Sequence, residues 1–286
     1  MMKKRLKKLF AGILAALLIL PCAGLSACGK RETEPEPAPA PKETVSENAE
    51  VARVTSLPPA SPAIGVGRIM PEVIEQRDIL ICVDPGHGFG DGGSGENSFY
   101  PPDILEKDVT ITVAMHLNEA LQKRGFQTVM THDGETIPAG YNWDGNDRFN
   151  PNERVALMND LAPDLMVSVH TNTAANPEAC GAIVFYSTHS YLKENELSGP
   201  AAEYIAEAMD EYAEMTTETR VGNEDIYDYA SYAVIRDTRP AAVLIELGYS
   251  TNEADAEKLV DPEWQKDVAY AIAKGVEQFF DSLENE

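Results

Sequence analysis

Two histidines and two glutamates stand where apolar runs of this sequence give way to turns or to the start of a helix. His87 lies in Val83-Asp-Pro-Gly-His-Gly88 and His170 in Ser168-Val-His-Thr-Asn172. Glu246 lies in Val243-Leu-Ile-Glu-Leu-Gly248, and Glu106 opens Glu106-Lys-Asp108. Two imidazoles and one carboxylate form a three-donor set suited to zinc, which takes nitrogen and oxygen ligands tetrahedrally and in catalytic sites keeps one position for water. Zinc brings such a water to a pKa of ~7. Glu246 would then be the base that takes its proton and hands it to a leaving nitrogen. Together these groups suit hydrolysis of an amide without a covalent enzyme intermediate.

Each residue also has a plainer role open to it. A histidine at a strand end is commonly a hydrogen-bonded loop residue. Glu106 is a favourable acid in the first turn of a helix, where the macrodipole is positive. Glu246 has Arg236 and Arg239 nearby as partners for a structural ion pair. What favours the chemical reading is that all four residues fall on one edge of one sheet.

That edge follows from the pattern of elements. Asp78–Asp84 is a short, almost continuous apolar run, as expected of a strand covered on both faces. Further strands are expected at 126–131, 164–170, 181–187, 233–236 and 241–247. Helices are expected at 106–124, 152–161, 197–215 and 262–280. In the first helix Val109, Val113, Leu117 and Leu121 make the buried stripe and Gly125 ends it; in the last, Val268, Ile272, Val276 and Phe279 do the same. Alternating strands and helices imply an α/β domain with a largely parallel sheet covered on both sides. Ligands of such sheets bind beyond the carboxyl ends of the strands.

Composition limits the partners. The 286 residues carry 23 Lys+Arg against 47 Asp+Glu, a net charge of −24. Nucleic-acid binding needs a basic face, and none is present. Charge alone gives no attraction to an anionic membrane. The first residues, with Lys3, Lys4, Arg5, Lys7 and Lys8 before the apolar run Leu9–Leu20, read as a targeting signal too short for an ordinary spanning helix. Leu25-Ser-Ala-Cys28 resembles a bacterial lipobox, so residues 1–27 read as a lipoprotein signal peptide and Cys28 as the lipidated first mature residue; plain secretion is the alternative. Loss of residues 1–27 removes five of the 23 basic groups and leaves 18, so lipid rather than charge would hold the chain at the membrane. Residues 28–70, with Glu34-Pro-Glu-Pro-Ala-Pro-Ala-Pro41, have little to bury and read as an extended spacer. The catalytic domain is expected at 71–286. Of the four cysteines, Cys82 and Cys180 read as buried small hydrophobes, with a bridge between them left open.

From about Ile79 to Phe280 the chain resembles the zinc-dependent N-acetylmuramoyl-L-alanine amidases, the family-3 catalytic domain of peptidoglycan hydrolases. The blocks that carry the likeness are Val83–Gly88, Glu106–Asp108, Asn152-Glu-Arg-Val-Ala-Leu-Met-Asn159, Ser168–Asn172, and Pro240–Gly248 followed by Asn252. Their order and rough spacing agree, and the set is specific where the first block alone is not. The resemblance implies a twisted six-stranded sheet flanked by helices, one zinc ion held by His87, Glu106 and His170, and Glu246 as base. It implies cleavage of the amide between the lactyl group of N-acetylmuramic acid and L-alanine in peptidoglycan, by an extracytoplasmic enzyme at the bacterial envelope. An inactive peptidoglycan-binding or regulatory protein on the same fold, and a zinc endopeptidase of the stem peptide, are the alternatives.

The likeness is not uniform. The family usually reads Thr-Arg where this chain has Thr131-His132; because the pattern places no ligand there, His132 is read as non-ligating. Asp133–Pro151 looks longer than usual and reads as a surface loop near the site, either touching substrate or facing solvent. Ser98–Asp103 is extra material ahead of Glu106. Asp84 is expected either to orient a ligand imidazole or to shape the turn before Pro85. Asn172 is expected to contact substrate or to cap its loop. His116 reads as a helix-packing residue, and His189 has no partner that can be named. The glycines of Gly88–Gly93 are not a phosphate cradle, because the Lys-Ser/Thr of a P-loop is missing.

Overall fold

The computed structural model describes residues 76–93, 98–139, 141, 150–187, 196–221 and 232–284. The signal segment, Cys28, the whole of the spacer, His189 and the centre of the loop after Asp133 lie outside the described residues. The elements in chain order are β1 (Leu80–Pro85), α1 (Glu106–Gln122), β2 (Gln127–Met130), α2 (Pro151–Leu161), β3 (Leu165–Asn172) and β4 (Ala182–Tyr186). They continue with α3 (Ser198–Tyr212), β5 (Thr217–Val221), α4 (Ala233–Arg236), β6 (Ala241–Tyr249), α5 (Glu253–Leu259) and α6 (Pro262–Glu284). The six strands form one sheet in the order β2-β1-β3-β6-β4-β5. All neighbouring pairs are parallel except β4 with β6.

Strand periodicity sorts the two faces. Ile81, Val83, Leu165, Val167, Val169, Val243 and Ile245 point to one side. There they pack against Val109, Val113 and Leu117 of α1, Ile205 and Met209 of α3, and Ile272, Val276 and Phe279 of α6. Cys82, Met166, Ala242 and Leu244 point to the other side, against Val155 and Met158 of α2 and Val234 and Ile235 of α4. The second layer is thinner, and Asp84, Ser168, His170 and Glu246 continue the same alternation at its carboxyl edge.

Local signals set the helix ends. Asn150 caps α2 by accepting from the Asn152 and Glu153 amides at 3.0 and 3.1 Å, while the Glu153 carboxylate accepts from the Asn150 amide at 3.0 Å. Pro151 fills the first turn, where a missing N–H costs nothing. Asp108 performs the same service for α1, accepting from the Leu105 amide at 2.9 Å, which leaves Glu106 free of capping.

The structure corrects the expected strand at 233–236. Ala233–Arg236 is one turn of helix whose Val234 and Ile235 enter the thinner core. The sixth strand is β5, Thr-Glu-Thr-Arg-Val, a mostly exposed edge held by backbone pairing to β4. Helix α5 was also unforeseen. Cys82 is buried as expected, but Cys180 is exposed and both thiols are free, so no bridge joins them. Among the described residues no helix is long and apolar enough to cross a membrane.

Candidate active site

The site begins at a buried carboxylate. Asp84, fully buried at the end of β1, accepts from Arg154 Nε and Nη2 at 2.9 and 2.7 Å, from Thr131 Oγ1 at 2.7 Å and from Ser168 Oγ at 2.7 Å. Burial alone would raise its pKa, but the Arg154 charge and these donors hold it below the usual carboxylate range. Its acceptor sites are filled by these donors rather than by a ligand imidazole, so the expectation that Asp84 orients a histidine ring gives way to one in which it fixes the turn. Arg154 Nη2 also donates to the Pro85 carbonyl at 2.9 Å. His132 joins the same frame: its Nε2 lies 3.0 Å from the Pro85 carbonyl and its Nδ1 accepts from the Gly134 amide at 3.2 Å. With both ring nitrogens engaged, His132 has no donor left for a metal.

The chain then turns through Gly86 to His87. A Cβ on Gly86 would sit 2.5 Å from the His170 ring and 2.7 Å from the Val169 carbonyl, so only glycine lets β1 pass this close to β3. His87 takes a left-handed backbone, φ 62°, which directs its side chain across the sheet edge. His170 lies opposite Glu246 in the β3–β6 register, and a bulge follows it before Asn172. Glu106 enters from the first turn of α1 and is only 1% exposed.

These groups converge. His87 Nε2 lies 3.2 Å from Glu106 Oε2, and His170 Nδ1 lies 3.3 Å from Glu106 Oε1. The Thr171 amide also donates to Glu106 Oε1 at 3.0 Å. The two rings meet edge to face, with centroids 5.0 Å apart. One ligand atom from each of His87, Glu106 and His170 lies within 4.8 Å of the others. Burial opposes the Glu106 charge, but the imidazoles of His170 and His87 outweigh it and hold its pKa well below the ordinary range. His170 is kept neutral by burial, the form in which an imidazole ligates. For His87, burial works against protonation, and Glu106 and Asp91 more than compensate, raising its pKa.

Glu246 stands beside this cluster, 5% exposed, with its buried Oε2 making no hydrogen bond. Burial first, then the charge of Glu106, push its pKa up to about 8; the Tyr232 hydroxyl and His87 act weakly the other way. Among the described residues no ion pair joins Glu246 to Arg236 or Arg239, the pair left open by the sequence; Arg236 pairs with Asp237. Two nitrogens and a carboxylate oxygen facing one another, with an orphaned carboxylate oxygen at their side, fit a divalent cation of the zinc type. Asn172 is half-buried, and its Oδ1 accepts from the Thr173 amide at 2.8 Å, so its carbonyl serves the loop. His116 is half-buried on α1. Arg154 and Asp91, both inside quoted motifs, were missed as site residues; a charged residue at a buried helical position was the available signal for the first.

The fold and site together define an α/β domain whose sheet edge carries a candidate hydrolytic metal centre. A family model described as N-acetylmuramoyl-L-alanine amidase matches residues 81–278. The chain is 33% identical over 204 residues to the germination-specific N-acetylmuramoyl-L-alanine amidase of Bacillus subtilis (strain 168), covering 70% of this chain and 79% of that one. It is 28% identical over 201 residues to the probable cell wall amidase LytH of Staphylococcus aureus, covering 70% of this chain and 58% of LytH. An N-acetylmuramoyl-L-alanine amidase structure from Clostridium difficile 630 shares the fold with a TM-score of 0.58 at 24% identity, covering 71% of this chain and 97% of that one. This chain belongs to the N-acetylmuramoyl-L-alanine amidase family, a family of peptidoglycan amidases.

The Arg154–Asp84 pair makes a clear prediction. Arg154→Met keeps the bulk and strands a buried carboxylate, and should cost about 3–5 kcal/mol in denaturant unfolding at neutral pH. Because the folded pKa of Asp84 is depressed, the pair's contribution is complete above the unfolded value of ~3.9 and is lost as pH falls through the lower folded value. The gap between wild type and variant should therefore narrow below about pH 4. An unchanged midpoint at pH 7 would show that the pair does not hold the turn.

Proposed function

We propose that this protein is a zinc-dependent amidase that cuts peptidoglycan between the lactyl group of N-acetylmuramic acid and L-alanine, with His87, Glu106 and His170 as ligands and Glu246 as base. The observation that carries the reading is the convergence of three ligand atoms within 4.8 Å beside the orphaned Glu246 Oε2. Zinc, when bound, would acidify water to a pKa of ~7 and polarise the scissile carbonyl. The protein's own groups supply the rest. Neutral His170 and ionised Glu106 present lone pairs without first shedding protons. Glu246 Oε2 takes a proton and returns it to the departing L-alanine nitrogen. Its pKa of about 8 in the metal-free site would be drawn down by a nearby cation, toward the range in which one carboxylate both accepts and donates near neutral pH. The Asn172 amide, with its N–H groups turned to no partner among the described residues, is a candidate substrate contact.

The place of action is extracytoplasmic, at the cell envelope, in keeping with the cell wall amidase relatives. The lipobox-like Leu25-Ser-Ala-Cys28 supports attachment through Cys28, with residues 28–70 as the tether to the catalytic domain at 71–286.

Purified protein should hold about one zinc and release peptides with a free L-alanine amine from peptidoglycan, sensitive to chelator, as read by mass spectrometry. Glu246→Gln should keep the metal and lose turnover by ~10²–10⁴-fold, and His170→Ala should lose the metal. Near-full activity of Glu246→Gln would remove it as base. A cut inside the stem peptide would make the protein an endopeptidase, and zinc without any cut would make it a binding protein. Cys28→Ser should move the protein from the membrane fraction to the soluble one; a variant still wholly in the membrane fraction would refute the lipid anchor.

A further inference from the structure

The loop that carries His87 is built as a unit with the helix that carries Glu106. Gly88 and Asp91 pair through both backbone hydrogen bonds, 3.0 and 2.9 Å, closing a tight turn over Phe89 and Gly90. Phe89 is in the left-handed region, φ 53°, and its carbonyl accepts from Lys107 Nζ at 2.8 Å. The Lys107 amide donates to the Gly92 carbonyl at 3.2 Å. Gly93 passes so close to Glu106 that a Cβ there would sit 2.6 Å from Oε2.

This turn returns Asp91 to the rear of the His87 ring. Asp91 Oδ1 accepts from the Gly93 amide at 3.2 Å, and Oδ2 lies 3.4 Å from His87 Nδ1. The opposite ring nitrogen, Nε2, is the one facing Glu106. His87 is thus gripped across the ring, with the metal-facing side on Nε2 and a carboxylate behind Nδ1. The separation of 3.4 Å is ion-pair reach, looser than a formed hydrogen bond.

We infer that Asp91 is the positioning residue for His87: it holds the proton on Nδ1, commits Nε2 to the metal, and closes to hydrogen-bond distance when the metal is bound. This rests on the zinc reading proposed above. A carboxylate behind a ligating imidazole fixes its tautomer and orientation and strengthens it as a donor, and losing such a partner typically weakens metal binding by ~10–100-fold. Asp91 touches neither the metal position nor the reacting atoms; it acts through His87.

The test titrates zinc alone into the intact protein against a competing chelator and follows the His87 ring by NMR. In the zinc-loaded wild type, a ring proton on Nδ1 shifted downfield, with Nε2 unprotonated, is expected. Asp91→Asn, nearly isosteric, should move that proton upfield and weaken zinc by ~10–100-fold, while the metal-free melting temperature changes little. Partial recovery of affinity in Asp91→Glu would show that the carboxylate rather than the loop matters. Zinc binding of unchanged strength in Asp91→Asn, or a wild-type His87 carrying its proton on Nε2, would overturn the inference; the second outcome needs no variant to fold. Failure of the wild type to bind zinc at all would instead sink the zinc reading, so the two failures are distinguishable.

Discussion

The rest of the site depends on one buried ion pair. Asp84 and Arg154 meet where β1 stops, with Thr131 and Ser168 completing the carboxylate. Two charges so deeply buried gain little net stability over apolar residues of the same bulk, because desolvation cancels most of their attraction. What the pair supplies is position. Arg154 belongs to α2, Thr131 follows β2 and Ser168 lies on β3, so one carboxylate joins three elements to the end of a fourth. Arg154 and His132 together hold the Pro85 carbonyl, and His87 is only two residues further on.

The sheet turns that fixed point into a site by alternation and by unequal cover. Helices α1, α3, α5 and α6 contribute side chains to the core on the face that takes Ile81, Val83, Val167 and Val243; among the described residues the helices on the other are α2 and the single turn α4. Residues in register at the thinner face, Asp84 beside Ser168 and His170 beside Glu246, therefore run from an apolar core to a polar sheet edge at which His170 is half-buried. The antiparallel strand β4 places Ile183 next to Glu246, keeping apolar surface against its carboxylate. Burial and accessibility coexist there, and both are needed if a carboxylate is to have a shifted pKa and still meet a substrate.

Much of this was legible in the sequence, and the losses have physical causes. The central strands read clearly because they are buried on both faces and carry almost unbroken apolar runs. β5 did not, because Thr217–Val221 is an exposed edge held by backbone pairing that side-chain pattern does not report. Val234 and Ile235 read as strand because four apolar or long residues in a row do not distinguish a buried helical turn from a short strand. His87, Glu106, His170 and Glu246 stood out in the sequence because their types are conspicuous where apolar runs give way to turns or to a helix start, and the structure brings ligand atoms of the first three within 4.8 Å of one another. For Asp84 the sequence left two roles open, partner of an imidazole or shaper of the turn before Pro85, and its contacts are those of the second; the carboxylate near the His87 ring is Asp91, four residues further on and brought back by a turn.

The electrostatics of the cluster argue that these protein groups alone do not complete it. Glu106 is held ionised by two imidazoles and a backbone amide, while Glu246, beside it, is pushed toward neutrality by burial and by the Glu106 charge itself. One carboxylate is satisfied at the expense of the other, and the loser keeps a buried oxygen without a hydrogen bond. Buried polar atoms are rarely left so unless a ligand, ion or water completes them. Among the described residues no lysine or arginine forms an ion pair with Glu246, and Arg236 pairs with Asp237 instead. A dication held by His87, Glu106 and His170 would answer both carboxylates at once and free the imidazoles from hydrogen-bonding to Glu106. That is why the geometry reads more naturally as a metal centre than as a self-contained network of ion pairs.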